Sequence, residues 1–397
     1  MFKNLFQNKI LAIIVFAVIV RLIYLLIFAD LRIENYFEYG DILKNLLSGK
    51  GYSLAYQIDG FAYAYPSAYM PPGYVFFLLP FMFFKEILVR NILIFLFQIL
   101  LSASTVYLVY KFTEKYFSRN SGLIAAGLTS ILPEFVYVAN TIGPTIVYHV
   151  GIILILLYLY RIELLRAKDY FLLGGIFGTL IYFRSEFVLY LLIFTITAIA
   201  ARKIKPALIT IFTVIVLLLP WQIRNYAVFD SYVPLSTSGG LNFYRGHNPY
   251  SIGDWGDESV FNELKKHIGR NDYEIEMNRI YFDRGMETIR HQPGREFLIS
   301  FEKIFHLWII NPSDARTKNL FYLLPSLLVL LFAILGIIKT DSWQKHKYSY
   351  LFFIYSTLIA VIFFALPRYQ TMMKIVLIPF ASYGIDWFLN IIRRRTS

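Results

Sequence analysis

Long apolar runs, separated by short polar and basic segments, form most of the chain. A helix needs about 20 mostly apolar residues to cross the hydrocarbon core of a bilayer, which is roughly 30 Å thick. Runs that reach or approach this length lie at residues 11–28, 91–110, 122–137, 142–160, 170–183, 187–200, 206–220, 320–338, 348–366 and 374–392. The pattern therefore predicts an all-α polytopic membrane protein with about ten transmembrane helices.

A further apolar run at residues 73–84 is too short to cross a bilayer. As a helix it would reach only about 18 Å. Counting it as a crossing would also reverse the sidedness of all later segments and place the basic residues of 111–119 outside. We predict a short re-entrant or juxtamembrane helix here.

Two polar segments, residues 30–89 and 221–319, are long enough to form structure outside the membrane. We therefore divide the chain into a transmembrane core with the first outer loop (1–220), an extracytoplasmic region (221–319) and C-terminal transmembrane helices (320–397). Within the second region, apolar residues recur at helical spacing on both sides of Pro293. The later part predicts an amphipathic helix on the membrane surface, with Trp308 at the interface.

Composition and charge agree with a membrane protein. Of the 397 residues, 57% are hydrophobic and only 16% are charged. The net charge of +12 follows the positive-inside rule, because the segments expected on the cytoplasmic side hold 17 basic and 4 acidic residues. We expect an integral protein of the plasma or inner membrane with both termini in the cytoplasm, and no nucleic-acid partner. The absence of cysteine excludes disulfides and thiolate chemistry.

Carboxylates cluster just after the first apolar run. If this segment is helical, Asp30, Glu34, Glu38 and Asp41 share one face. Neighbouring carboxylates repel, so one of them can keep a raised pKa and serve as a base. The alternative is a solvated acidic face. The tyrosines that follow predict an interfacial belt or, alternatively, a surface that stacks on a sugar or holds a lipid; they are Tyr52, Tyr56, Tyr63, Tyr65, Tyr69 and Tyr74.

Basic residues recur near the outer ends of the later apolar runs. Arg224, Arg245 and His247 accompany turns rich in Ser, Thr and Gly, whose backbone amides can face an anion. Arg184, beside Glu186, and Arg368 lie at comparable depth. Together they suit a phosphate-bearing lipid, although each could also be a headgroup anchor. Arg21 lies inside the first apolar run, where a charge indicates either a functional site or a structural pair.

Several stretches occur in an order that resembles the membrane glycosyltransferases of the GT-C superfamily, closest to the family 39 branch of protein O-mannosyltransferases and lipid A aminoarabinose transferases. They are "ENYFEYGDILKNLLSGKGYS", "PPGYVFFLLP", "YFRSEF", "PWQIRNY", "STSGG", "HNP" and "PRYQ". The resemblance implies the GT-C fold, an extracytoplasmic active site, and a polyprenyl-phosphate sugar as donor. It also implies inverting transfer to a glycan, lipid or protein acceptor, without a required metal, although a divalent ion could be held by the acidic stripe.

The resemblance also implies roles for individual residues. The general base falls at Glu34 or Glu38, because the usual acid would occupy the position of Asn35. An acid often found in the fourth helix is replaced by residues 142–145, "IGPT". The residues expected on the donor phosphate and sugar are Arg184, Arg224, Asn225, Arg245, His247, Asn248, Arg368 and Tyr369.

Two other classes remain open from the sequence. A transporter or flippase for lipid-linked sugars could use the same arginines, and a GT-C-like subunit without activity would bind the lipid but not turn it over. The sequence lacks the paired broken helices that indicate a transporter site.

Overall fold

The computed structural model describes residues 8–58, 61–251, 262–312, 314–340 and 343–396. The helices up to the second outer segment are α1 Lys9–Phe28, α2 Phe37–Leu47, α3 Pro72–Leu78, α4 Ile87–Tyr116, α5 Arg119–Ile131, α6 Pro133–Ala139, α7 Thr145–Leu159, α8 Ala167–Phe183, α9 Phe187–Ala200 and α10 Ile204–Phe229. They are followed by α11 Gly239–His247, α12 Asn262–Lys265, α13 Tyr273–His291, α14 Pro293–Trp308, α15 Leu320–Lys339, α16 Trp343–Ile362 and α17 Pro367–Thr396.

Each of the ten predicted runs coincides with one helix or, for residues 122–137, with the pair α5 and α6. Within the described residues, five helices are long and apolar enough to cross a membrane, and the number rises to 6 if the pair, bent by 60°, is one span. The all-α polytopic fold class is thus confirmed. The predicted span 206–220 lies within α10, but the helix does not end at Pro220. It continues to Phe229 and carries Arg224 near its C-terminal end.

The bend between α5 and α6 explains Arg21 of α1. Pro133 has no N–H, so the carbonyl of Thr129 loses its helical partner. Arg21 Nη2 donates to that carbonyl at 3.0 Å, and Nη1 donates to the carbonyl of Ser130 at 3.0 Å. Arg21 Nε also donates to Ser102 Oγ of α4 at 2.6 Å. The buried arginine therefore caps a broken helix.

The first outer segment contains structure that the sequence did not predict. Strands β1 (Ser53–Ile58) and β2 (Phe61–Pro66) form an antiparallel hairpin in which Ser53 pairs with Pro66. Tyr65 of the hairpin stacks on Tyr273 of α13, with ring centroids 4.6 Å apart. The predicted interfacial belt was wrong for this residue, because Tyr65 packs inside the outer region and is 3% exposed. The short run near residue 73 forms α3 and a 3₁₀ turn, Leu79–Phe83, as predicted for a helix too short to span.

Helices α11 and α14 contact the ends of α16 and α17 near residues 362–367, and α13 packs against α11. Close approach requires glycine at two positions of α11. A Cβ on Gly240 would lie 1.8 Å from the carbonyl oxygen of Asn278, and one on Gly246 would lie 1.7 Å from that of Phe363. The helix break at Pro293 is confirmed.

Helix α14 turns several of its polar side chains toward the protein and several of its aromatic side chains away from it. Glu296 and Lys303 are buried, whereas Phe297 and Phe301 are 64% and 57% exposed. An exposed apolar face of this kind is typical of a helix lying in a membrane interface.

Candidate functional site

The loop before α2, which carries Glu34, is held by α4. Asn91 Nδ2 donates to the carbonyls of Leu31 and Ile33, both at 2.9 Å. The Asn91 side-chain oxygen accepts a short hydrogen bond from the hydroxyl of Tyr36, which also accepts from Arg90 Nε at 3.0 Å. The backbone on both sides of Glu34 is therefore fixed, while Glu34 itself is exposed.

The predicted acidic stripe on one helix face was wrong. Helix α2 begins at Phe37, so Asp30 and Glu34 lie in the preceding loop. Asn35 ends that loop, because its Oδ1 accepts from the N–H of Phe37 at 2.7 Å. Phe37 adopts a left-handed φ of 54°, which is strained for a bulky residue. Glu38 follows directly on α2.

The four acids differ in what they contact. Asp30 Oδ1 accepts from the N–H of Arg32 at 2.9 Å, and Asp41 lies 3.9 Å from Lys44 Nζ. Within the described chain, the carboxylates of Glu34 and Glu38 make no hydrogen bond or ion pair. These two are therefore the acids free to accept a proton from a substrate.

Arg184 and Arg368 meet over one aromatic ring. The Cζ of Arg184, at the end of α8, lies 4.4 Å from the centre of the Tyr369 ring, and the Cζ of Arg368 lies 5.7 Å from it. The two guanidinium carbons are therefore no more than about 10 Å apart. Arg184 is buried and forms an ion pair with Glu186, which lies two positions away in the sequence. Arg368 is exposed and has no acidic partner among the described residues.

Tyr39 of α2 connects the acidic loop with these arginines. Burial raises the pKa of Tyr39 to about 12, while the charges of Arg368 and Arg184 oppose that rise. Glu38 acts on the same hydroxyl in the opposite direction. Tyr39 therefore lies within electrostatic range of Glu38 and of both arginines. Among these charged groups, Arg184 pairs with Glu186, whereas Arg368 and Glu38 make no ion pair in the described chain.

Arg224 and Asn225 lie on α10 with other partners. Arg224 donates to the carbonyls of Ser67 at 2.7 Å and Tyr52 at 2.8 Å, which fastens the hairpin to α10. Asn225 is fully buried, and its Nδ2 donates to the carbonyl of Val233 at 3.0 Å. In this structure both side chains hold the outer region together. Their predicted contact with a donor stays a prediction.

The residues predicted from "RGHNP" are placed at the end of α11. Arg245 Nη1 donates to Asn242 Oδ1 at 3.3 Å, and Asn248 Nδ2 donates to the carbonyl of Arg245 at 3.1 Å. His247 is buried against Glu296, with Nδ1 and Oε2 separated by 2.6 Å. The structure therefore brings Arg184, Arg368 and Tyr369 together. Arg245, His247 and Asn248 instead contact neighbouring residues of α11 and Glu296 of α14.

Sequence reasoning missed the residues that hold the site in shape. Glu274 is buried on α13, where its Oε2 accepts from the N–H of Ala68 at 2.9 Å and from Thr237 Oγ1 at 2.7 Å. Burial raises the pKa of Glu274, and these hydrogen bonds oppose the rise. Asn91 and Glu274 were visible only as polar residues in apolar or amphipathic helices, which is a weak signal without their distant partners.

No group of three or more His, Asp or Glu side chains in the described ranges could hold a metal ion. The prediction that no metal is required stays a prediction.

Solved structures with this fold were found among oligosaccharyltransferases of Archaeoglobus fulgidus. One, in complex with an inhibitory peptide and a dolichol-phosphate, has 12% sequence identity and a TM-score of 0.54, and the match covers 99% of this chain and 52% of that one. Another, tethered to an acceptor peptide containing the NVT sequon, has 12% identity, a TM-score of 0.57, and coverage of 99% and 51%. This chain thus spans about half the length of these proteins. Together the helices and this likeness define a polytopic membrane protein with the GT-C fold.

A particular family matches the central part of that fold. Residues 71–223 match the sequence profile described as dolichyl-phosphate-mannose-protein mannosyltransferase. No curated protein matches the chain significantly. The matched segment runs from α3 into α10 and contains Arg184. The resemblance to the GT-C superfamily and its mannosyltransferase branch is thereby confirmed for the matched segment, and the chain as a whole has the GT-C fold.

Proposed function

We propose that this protein transfers a sugar from a polyprenyl phosphate to an acceptor on the extracytoplasmic face of the plasma or inner membrane, with both termini in the cytoplasm. The convergence of Arg184 and Arg368 on the ring of Tyr369 carries the proposal. Arg368, a cation without an acidic partner beside the buried Arg184–Glu186 pair, is available to a lipid-borne phosphate. The family match and the dolichol-phosphate bound by a protein of the same fold support a lipid-linked donor.

The transfer requires a base on the acceptor and positive charge on the leaving group. Glu34 accepts the proton of the acceptor hydroxyl while the hydroxyl oxygen forms a bond to the anomeric carbon. The bond between that carbon and the phosphate oxygen breaks, and its electron pair stays on the phosphate. Arg184 and Arg368 stabilise the charge that develops there. Attack opposite the phosphate inverts the anomeric centre.

Glu34 is the preferred base because its loop is fixed on both sides while its carboxylate has no partner in the described chain. A base held in a rigid loop needs little reorganisation before proton transfer. Glu38 is the alternative, since its charge acts on the Tyr39 hydroxyl together with those of Arg184 and Arg368. The acceptor can be a glycan, a lipid or a protein.

The test is turnover of radiolabelled polyprenyl-phosphate sugars by the purified protein, with a membrane extract as acceptor, measured as release of free polyprenyl phosphate. Glu34→Gln should abolish release but retain donor binding, whereas Arg368→Gln should weaken donor binding. Glu38→Gln serves as the matched variant. Full activity of Glu34→Gln with loss in Glu38→Gln would move the base to Glu38.

Binding of the labelled donor without release by the wild-type protein would overturn the enzymatic proposal. Donor binding combined with movement of the lipid across vesicle membranes would then establish the flippase. Binding with neither release nor movement would establish a subunit that lacks activity.

A further inference from the structure

A buried charged cluster lies where α11 and α14 contact the end of α16. Lys303 of α14 is fully buried, and its Nζ donates to the carbonyl of Val361 at 3.0 Å. His247 Nε2 lies 2.9 Å from the carbonyl oxygen of Ile362. Lys303 Nζ and His247 Nε2 are 3.2 Å apart. The last turn of α16 is thus held by two side chains from the outer region.

Acidic and basic neighbours complete the cluster. His247 Nδ1 lies 2.6 Å from Glu296 Oε2, and Arg295 Nη1 donates to Glu296 Oε1 at 2.8 Å. Burying charges is costly unless they are paired and hydrogen-bonded. Carbonyls at the end of a helix lack helical partners, and cations near them are stabilised by the helix dipole. The cluster therefore satisfies both its own charges and the free carbonyls of α16.

Further contacts continue along the connection between α16 and α17. Gly246 allows α11 to approach Phe363, since a Cβ there would lie 1.7 Å from the Phe363 carbonyl oxygen. Asn311 Nδ2 donates to the carbonyl of Ala365 at 3.4 Å, and the side chain of Gln370 donates to the carbonyl of His306. This connection leads directly to Arg368, which has no acidic partner among the described residues.

We infer that Lys303 and His247 are positioning residues, which fix the α16–α17 connection so that Arg368 stands opposite Arg184 at the donor phosphate. The inference rests on the proposed function. A free connection would let the first turn of α17, which carries Arg368 and Tyr369, shift relative to Arg184, because a single cation–π contact is weak. Neither Lys303 nor His247 needs to touch the donor.

The test is a double-mutant cycle on donor KM and kcat with Lys303→Met, Arg368→Gln and the combined variant. Lys303→Met keeps the length of the side chain and removes the donor to Val361. It should raise the KM for the lipid donor about tenfold with a smaller change in kcat. If Lys303 acts through Arg368, the combined variant should be no worse than Arg368→Gln alone. Losses that multiply would overturn the inference.

Backbone hydrogen exchange gives a readout that does not need turnover. Lys303→Met should speed exchange in residues 363–370 and leave the hairpin, residues 53–66, unchanged. Glu302→Gln, an exposed neighbour on α14, is the matched control and should change neither exchange nor KM. If the wild-type protein is inactive, faster exchange would still support the holding contact, so failure of the proposed function is distinguishable. Unchanged exchange at residues 363–370 would refute the inference.

Discussion

The guanidinium carbon of Arg184 lies 4.4 Å from the centre of the Tyr369 ring, although 185 positions separate the two residues in the sequence. Arg368 approaches the same ring at 5.7 Å. An aromatic ring attracts nearby cations to its negatively charged faces. Tyr369 therefore offsets part of the repulsion that would otherwise separate the arginines before an anion binds.

Replacing the ring should weaken donor binding. Tyr369→Leu removes both cation–π contacts, each of which is worth about 0.5–2 kcal/mol, so their combined loss of about 1–4 kcal/mol should raise the donor Kd at least about 5-fold. Tyr369→Phe keeps the ring and should lose much less. Binding of a labelled polyprenyl phosphate in detergent measures both. Equal losses in the two variants would assign the effect to the hydroxyl, and no loss in Tyr369→Leu would remove the ring from the site.

The loop of Glu34 should depend on Asn91. Asn91→Asp keeps an acceptor for the Tyr36 hydroxyl but removes the N–H groups that hold Leu31 and Ile33. We expect kcat to fall about 10- to 100-fold, because a misplaced base is costly, while the donor KM changes little. Tyr36→Phe removes only the phenol contact and should have a smaller effect. A rise in KM without a fall in kcat would show that the loop serves donor binding instead.

The transmembrane helices could be predicted because hydrophobicity is a local property of the sequence. A run of apolar residues needs no distant partner to favour a helix in a bilayer. The bend at Pro133 was less visible, since its cap is Arg21, 108 positions away from Thr129. The sequence showed a charge in an apolar run but not the carbonyls that it satisfies.

The outer region was harder to predict for the same reason. Its hairpin contacts α13 through Glu274, whose partners Ala68 and Tyr56 lie 206 and 218 positions away. Tyrosine-rich sequence indicated an amphipathic surface, but the structure pairs Tyr65 with Tyr273. Motif order identified Arg224 as a candidate ligand, whereas its donors are directed to the carbonyls of Ser67 and Tyr52. Residue type and spacing cannot distinguish an arginine that binds a ligand from one that hydrogen-bonds to backbone carbonyls of its own chain.

Arg21 should matter for stability rather than turnover. Arg21→Met leaves the carbonyls of Thr129 and Ser130 buried without their donors, and each unsatisfied group costs about 1–3 kcal/mol. The thermal midpoint in detergent should fall by several degrees, while activity per folded molecule stays unchanged. Arg21→Lys should recover part of the loss. A folded Arg21→Met protein without activity would instead support the functional alternative.

The stability of the protein should rise with pH above neutrality because of Lys303. Burial, the largest cause, lowers the pKa of Lys303 from 10.5 to about 7. Between these values the unfolded chain binds one more proton than the folded chain, so the free energy of unfolding increases with pH. This contribution is fully present above the unfolded pKa and is lost as pH falls through the folded pKa.

Thermal midpoints measured between about pH 7 and 9 should therefore rise more steeply in the wild type than in Lys303→Met, which lacks the titrating amine. Lys50→Met, on an exposed residue of the first outer segment, is the matched control and should keep the wild-type slope. Parallel curves for wild type and Lys303→Met would show that Lys303 does not titrate in this range.

The outward aromatic face of α14 should lie in the outer leaflet. The chain has no cysteine, so a single introduced thiol can be labelled without background. A nitroxide on Phe301→Cys should collide frequently with oxygen, which concentrates in lipid, and rarely with a water-soluble nickel complex. On Arg290→Cys, at an exposed position of α13, the preference should reverse. Nickel access at both positions would place α14 in water, where exposed phenylalanines would require a protein partner.

The same thiols test the sidedness of the membrane. Arg290→Cys should react with a membrane-impermeant maleimide added outside intact cells, because residues 221–319 are predicted to be extracytoplasmic. Lys205→Cys, at the start of α10, should react only after permeabilisation, since its segment is among the basic ones. The opposite pattern would invert the topology and move Glu34 and Arg368 to the cytoplasmic face, where a donor made on that side could reach them. Reaction of both thiols outside would mean that α10, the candidate span between the two positions, does not cross the membrane.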